Sequence, residues 1–144
     1  MGLLYGYACS VNPGLSKLSN SEYLKAMQSI NVQIQNPYFF ISFMGTLIIL
    51  PVTTWYCKMH GSPKMFYCML TATLIYIVGV TGVTALGNIP LNNALAKFDI
   101  STASADQIAA QRKLFESSWN SYHLIRTLAS IITTSFAIVA IIKD

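Results

Sequence analysis

Charged side chains are scarce in this chain. Lys, Arg, Asp and Glu make up 10% of its 144 residues, against about 25% in an average soluble domain. Acids are the rarest: five Asp and Glu face nine Lys and Arg, for a net charge of +4. The cations are spread thinly and form no basic cluster, which argues against nucleic acid as a partner. Charges so placed suit lipid headgroups instead. Apolar residues reach 53% and mean hydropathy is +0.50. A chain long enough for one domain has too little interior to hide them. Composition therefore argues against a soluble enzyme, and it excludes a disordered chain, a collagen-like repeat and a coiled coil.

Cysteine is also sparse. Cys9, Cys57 and Cys68 are an odd number without a Cys-x-x-Cys pair, so neither a disulfide framework nor a zinc signature is present. They read as small buried thiols; a Cys57–Cys68 bridge across a helical hairpin is the alternative. His60 and His123 are the only histidines, and the topology below puts them at opposite faces of a bilayer. No metal or haem site is expected. Neither a Ser-His-Asp set, a dinucleotide fingerprint nor a phosphate loop occurs.

Long apolar runs are what the chain does have. Tyr38 to Cys57 and Met65 to Leu86 carry no charge, and each meets the requirement of about 20 residues for a membrane-spanning helix. A third run covers about Tyr122 to Ile142. The turn from Lys58 to Lys64 contains Gly61, Ser62 and Pro63, which end one helix and start the next. Its lysines favour the cytoplasmic side, which would place both chain ends there. Residues 1–12 are apolar but would reach only about 18 Å as a helix. Asn12-Pro13-Gly14 is expected to break it, so it reads as the outer part of a truncated or half-spanning fourth helix. Ser19 and Glu22 form a capping box. Tyr23, Met27, Ile30 and Ile34 then make one apolar stripe on a polar helix, which would lie on the membrane surface or over the bundle mouth. Ser104 and Gln107 make a second capping box.

These readings give an all-α membrane four-helix bundle with a short first helix and an amphipathic surface helix. The helices are expected at about 1–12, 20–35 (surface), 37–58, 64–87 and 104–142, in one integral membrane domain. Pro51 reads as a kink. Thr71, Gly79 and Gly82 read as close-packing positions.

Polar residues in apolar surroundings are the candidates for chemistry. Trp119, His123 and Arg126 stand at i, i+4 and i+7 and share one helix face. Ionisable groups inside a membrane usually face the bundle interior and find a partner. Alternatively Arg126 snorkels to the interface and His123 is a satisfied interfacial residue. Asn88, Asn92 and Asn93 surround Pro90, which is expected to fray the preceding helix; their alternative is a polar loop cap. One loop joins these helices, so both clusters should lie at the same membrane face. Arg126 is expected to bond the Gly87–Asn93 segment or Asp99, with His123 on the same cavity. Amides, an imidazole and a guanidinium converging there could deprotonate an acidic carbon and hold the enolate oxygen. His123 would be the base; Asn88, Asn92 and Arg126 would steady the enolate. Trp119, Tyr122 and Asn93 would border the substrate.

The order Asn-Pro-Gly-Leu (12–15), Met27-Gln28-Ser29-Ile30-Asn31, Asn36-Pro37, Gly87-Asn88-Ile89-Pro90-Leu91-Asn92-Asn93-Ala94-Leu95 and Trp119-x-x-Tyr122-His123-x-x-Arg126-Thr127 resembles the anthrone-oxygenase-like family of small membrane proteins. The resemblance extends over nearly the whole chain. It implies four transmembrane helices and the oxidation of an anthrone-like hydrophobic aromatic to a quinone by molecular oxygen, with neither metal nor flavin as cofactor. It implies a multi-pass membrane protein, in the inner membrane if bacterial, with a hydrophobic small molecule or lipid as ligand. A homo-oligomer is compatible with this reading. So is a non-catalytic membrane protein for binding or assembly, in which the polar cluster only locks helix packing.

Overall fold

The computed structural model describes residues 2–142. Every regular element among them is helical: α1 covers 2–16, α2 Asn20–Gln33, α3 Pro37–His60, α4 Pro63–Ala96 and α5 Ala105–Ile141. Helices α3, α4 and α5 are long and apolar enough to cross a membrane.

The starts follow side-chain chemistry. Ser19 and Glu22, and Ser104 and Gln107, form the two reciprocal capping boxes. Asn36 and Ser62 each accept a backbone N–H three residues on, with proline at the next position. A proline there costs nothing, because the first helical N–H groups lack partners anyway.

Two expected interruptions do not occur. The first helix passes through Asn12–Pro13–Gly14 to Ser16, and α4 runs through Pro90 to Ala96 instead of ending near 87. Each proline is preceded by a widened turn. The Asn12 N–H bonds the Tyr7 carbonyl and the Ile89 N–H bonds the Thr84 carbonyl, five residues back rather than four. A proline ring clashes with the carbonyl one turn earlier, and a widened turn draws that carbonyl aside. α4 carries a further wide stretch at Tyr76–Gly82. Pro51 lies inside α3, which continues to His60.

α4 and α5 form a central antiparallel pair, with α3 packed on α4 and α1 on α5. Gly79 sets the closest approach, since a Cβ there would stand 2.6 Å from that of Ala129. Gly82 has no neighbouring helix within contact of such a Cβ; only half of the expected glycine seam is a seam. Buried hydroxyls join α3 to α4: Thr54 Oγ1 lies 2.8 Å from Thr73 Oγ1 and donates to the Met69 carbonyl at 3.1 Å. The cysteines are free: Cys57 is buried, Cys68 half-buried and Cys9 exposed, so Cys9 departs from the buried-thiol reading.

The central pair carries two separate apolar cores. An inner one gathers Phe43, Leu50, Met69, Tyr76, Val80 and Ala129 within the membrane-length part. An outer one gathers Leu15, Tyr23, Leu24, Met27, Leu95, Phe115 and Trp119. The outer core exists because α2 packs over the end of the bundle, burying Leu24 and Met27 completely, rather than lying flat on lipid. Arg112 fastens it there. Its guanidinium donates to the Leu18 carbonyl at 2.6 Å, the Ser16 carbonyl at 3.1 Å and Asn20 Oδ1 at 3.2 Å. It also stands 4.5 Å from the Tyr23 ring centroid and pairs with Glu116.

Candidate functional site

Between the two cores lies a polar layer, built on the face of α5 that the 119/123/126 spacing marks out. Trp119, His123 and Arg126 are 6%, 3% and 7% exposed. The Trp119 and His123 rings stack at 5.1 Å with 16° between planes, and the Arg126 guanidinium carbon lies 5.5 Å from the Trp119 ring.

Arg126 finds its partners one turn away from the expected ones. Its Nη1 donates to Thr84 Oγ1 at 3.3 Å, and its Nη2 lies 3.1 Å from His123 Nδ1. It has no hydrogen bond to Gly87–Asn93 or to Asp99. Asp99 is exposed and turned to its own loop, where the Ser101 hydroxyl and N–H hold its carboxyl below the ordinary range. Thr84 can serve as acceptor because its own hydroxyl proton is spent on the Val80 carbonyl at 2.7 Å, which leaves an oxygen lone pair for the guanidinium.

The contact with Arg126 fixes the imidazole tautomer. A guanidinium only donates, so Nδ1 must accept and the proton of neutral His123 sits on Nε2. The Leu4 carbonyl faces the imidazole, but Nε2 makes no well-formed hydrogen bond, and neither do Arg126 Nε and Asn88 Oδ1, all of them buried. Two unspent donors and one unspent acceptor thus remain in the layer. Buried polar atoms are seldom left so.

The asparagines serve Trp119. Asn88, 2% exposed, donates from Nδ2 to the Trp119 carbonyl at 3.4 Å, and Asn92 Oδ1 accepts the indole N–H at 3.0 Å. Tyr122 is 37% exposed, and its ring covers Gly87 so closely that a Cβ there would stand 2.8 Å from it. Asn93 is exposed. His60 lies at the far end of α3, against Tyr56. Among the described residues, no group of three or more His, Cys, Asp or Glu is placed to hold a metal ion.

Two members of the layer escape sequence reasoning. Thr84 looks like any hydroxyl in an apolar run; only its place one turn before Asn88 hints at the shared face. Tyr7 belongs to the short first helix, whose packing no local pattern reveals. Its ring lies 5.2 Å from that of Trp119 and 5.1 Å from that of His123, filling the space against the imidazole. An open groove of about 460 Å³ lies elsewhere, beside Lys25, Gln28, Lys97 and Phe98.

Residues 37–136 match the family model described as Anthrone oxygenase. The match takes in the whole polar layer except Tyr7. It also leaves α1 and α2 outside, including the Asn12–Leu15 and Met27–Asn31 pieces of the resemblance. Comparison with curated proteins and with solved structures yields no match.

Proposed function

The chain belongs to the anthrone oxygenase family, and on that premise we propose that it is a membrane oxygenase of a hydrophobic, anthrone-like aromatic, acting without a cofactor. The observation that carries the proposal is the buried Trp119–His123–Arg126 face with unspent donors at His123 Nε2 and Arg126 Nε.

The reaction needs little machinery. A methylene flanked by two aryl rings and conjugated to a carbonyl is acidic. Removing its proton yields an enolate, whose carbon reacts with dioxygen to form a C–O bond and a hydroperoxide. Loss of water from that hydroperoxide leaves the second carbonyl. One oxygen atom enters the product and the other departs as water. The protein has to accept one proton and stabilise one oxyanion. His123 takes the proton at Nδ1 once Arg126 leaves that atom. The guanidinium follows the developing charge to the substrate oxygen, where a buried donor acts most strongly. Asn88 and Asn92 act through Trp119, keeping the indole against the imidazole; Asn88 Oδ1 remains available to a substrate hydroxyl. Trp119 and Tyr122 border the ring system, and substrate arrives from the lipid.

Oxygen uptake by the purified protein with anthrone tests this. Uptake well above a detergent blank, lost in His123→Ala and Arg126→Leu, is the expected result. A folded protein with no uptake above the blank would sink it. The filling of the site by Tyr7 and Trp119 favours one rival, a non-catalytic protein that binds or assembles through the same face.

A further inference from the structure

We propose that Tyr7 is a resident stand-in for the substrate ring: its phenol fills the aryl berth beside Trp119 and His123, and ligand binds by displacing it. This rests on the site assignment above but not on catalysis.

The geometry is that of a bound aromatic. The Tyr7 plane is inclined 46° to Trp119 and 62° to His123, with both centroids just over 5 Å away. These values fall within the range of favourable aromatic pairs. Its hydroxyl is weakly held: it donates to the Met27 thioether at 3.4 Å, and a thioether is a poor acceptor. His123 Nε2 makes no well-formed hydrogen bond and is faced only by the Leu4 carbonyl of the same first helix. A ligand with an aryl ring and a carbonyl or phenolate oxygen would supply the acceptor that Tyr7 does not.

The first helix is also built to yield at this point. Its Asn12–Ser16 part is fixed: Asn12 Nδ2 donates to Asn120 Oδ1 at 3.1 Å, Leu15 is buried, and Arg112 holds the Ser16 carbonyl. Over Gly2–Gly6 and Tyr7–Val11 no residue is fully buried, and Leu4 and Tyr7 pack, half-buried, against the edges of the inner and outer cores. The widened turn Tyr7–Val11 lies between the fixed and the loosely packed parts. Wide turns are where helices bend with least loss of hydrogen bonding. Moving that stretch aside would uncover the berth toward lipid, so a ligand larger than one ring could extend outward.

The test is binding, measured without oxygen. In a Trp55→Phe background Trp119 is the only indole, and its fluorescence reports titration with 9,10-anthraquinone in nanodiscs. Removing a competing ring contact should tighten binding about five- to tenfold in Tyr7→Ala. Tyr5→Ala, on an exposed position of the same helix, should match the parent, excluding general loosening of the helix. Tyr7→Phe keeps the ring and loses only the Met27 contact, so it covers the case in which Tyr7→Ala misfolds; about twofold tighter binding is expected. Equal or weaker binding in Tyr7→Ala with native Trp119 emission, or unchanged binding in Tyr7→Phe if the alanine variant misfolds, overturns the proposal. Quenching that follows this order without anthrone turnover would leave displacement standing and remove the oxygenase reading. Turnover with no effect of Tyr7 on binding would do the reverse.

Discussion

Arg126 is a cation in a buried layer with no carboxylate partner among the described residues, and much about the site follows from how it is accommodated. On insertion scales an arginine at mid-membrane costs about 2.5–3.5 kcal/mol. Thr84, His123 and the face of Trp119 offset part of this. Thr84→Val removes one acceptor while keeping the shape, and it should cost about 1–3 kcal/mol, seen as a lower melting temperature in detergent. Arg126→Lys should restore only a fraction of the oxygen uptake lost in Arg126→Leu, because a point charge cannot reach Thr84 and His123 together as a planar fork does. Full rescue by lysine would show that charge alone suffices. The 119/123/126 face was legible in the sequence, since it depends on one helix and its 3.6-residue period. The partners were not. Whether Arg126 meets Thr84 or Asn88 depends on which residues of α4 face α5, and the widened turns along α4 leave no mark in the hydropathy pattern.

At the scale of the helices, prolines signalled the wrong event. Pro13 and Pro90 suggested breaks, and both are absorbed by a turn with five-residue hydrogen bonding that opens at a residue of the site, Tyr7 or Thr84. Pro90→Ala restores an N–H and removes the reason for the wide turn. Oxygen uptake should then fall at least several-fold with the melting temperature unchanged or higher. Caps and long apolar runs were legible because they depend on neighbours in sequence. The Gly79 and Gly82 positions separate packing from propensity. Gly79→Val should destabilise by about 1–3 kcal/mol through overpacking against Ala129, whereas Gly82→Ala should be neutral or slightly stabilising. Thermal unfolding of the pair distinguishes them. The α2 cap adds a pH dependence. The Ser19 hydroxyl and N–H hold the Glu22 carboxyl below its ordinary value. The folded state therefore favours the charged form, and the cap's contribution is present at neutral pH and fades as pH falls through that lowered value. Amide exchange in the first turn of α2, compared after correction for intrinsic pH effects, should show loss of protection only at acid pH.

For the whole molecule, the polar layer between two cores has a consequence for the lipid around it. From Arg126 to Ile141 the inner part of α5 rises about 23 Å, while the hydrocarbon of a typical bilayer is about 30 Å thick. If the Ile141 end marks one boundary, the layer lies several ångströms short of the other, and local thinning of the acyl chains would bring it nearer the headgroup level. Such hydrophobic mismatch costs a fraction of a kcal/mol per ångström. It makes the depth of Arg126 a property of the membrane as well as of the fold. Reconstitution in phosphatidylcholines of increasing acyl length should give oxygen uptake that is highest in short-chain bilayers and declines with length. The same bias would favour the protein in thin regions of a heterogeneous membrane, where the aromatic ligand proposed for it would also lie closest to water.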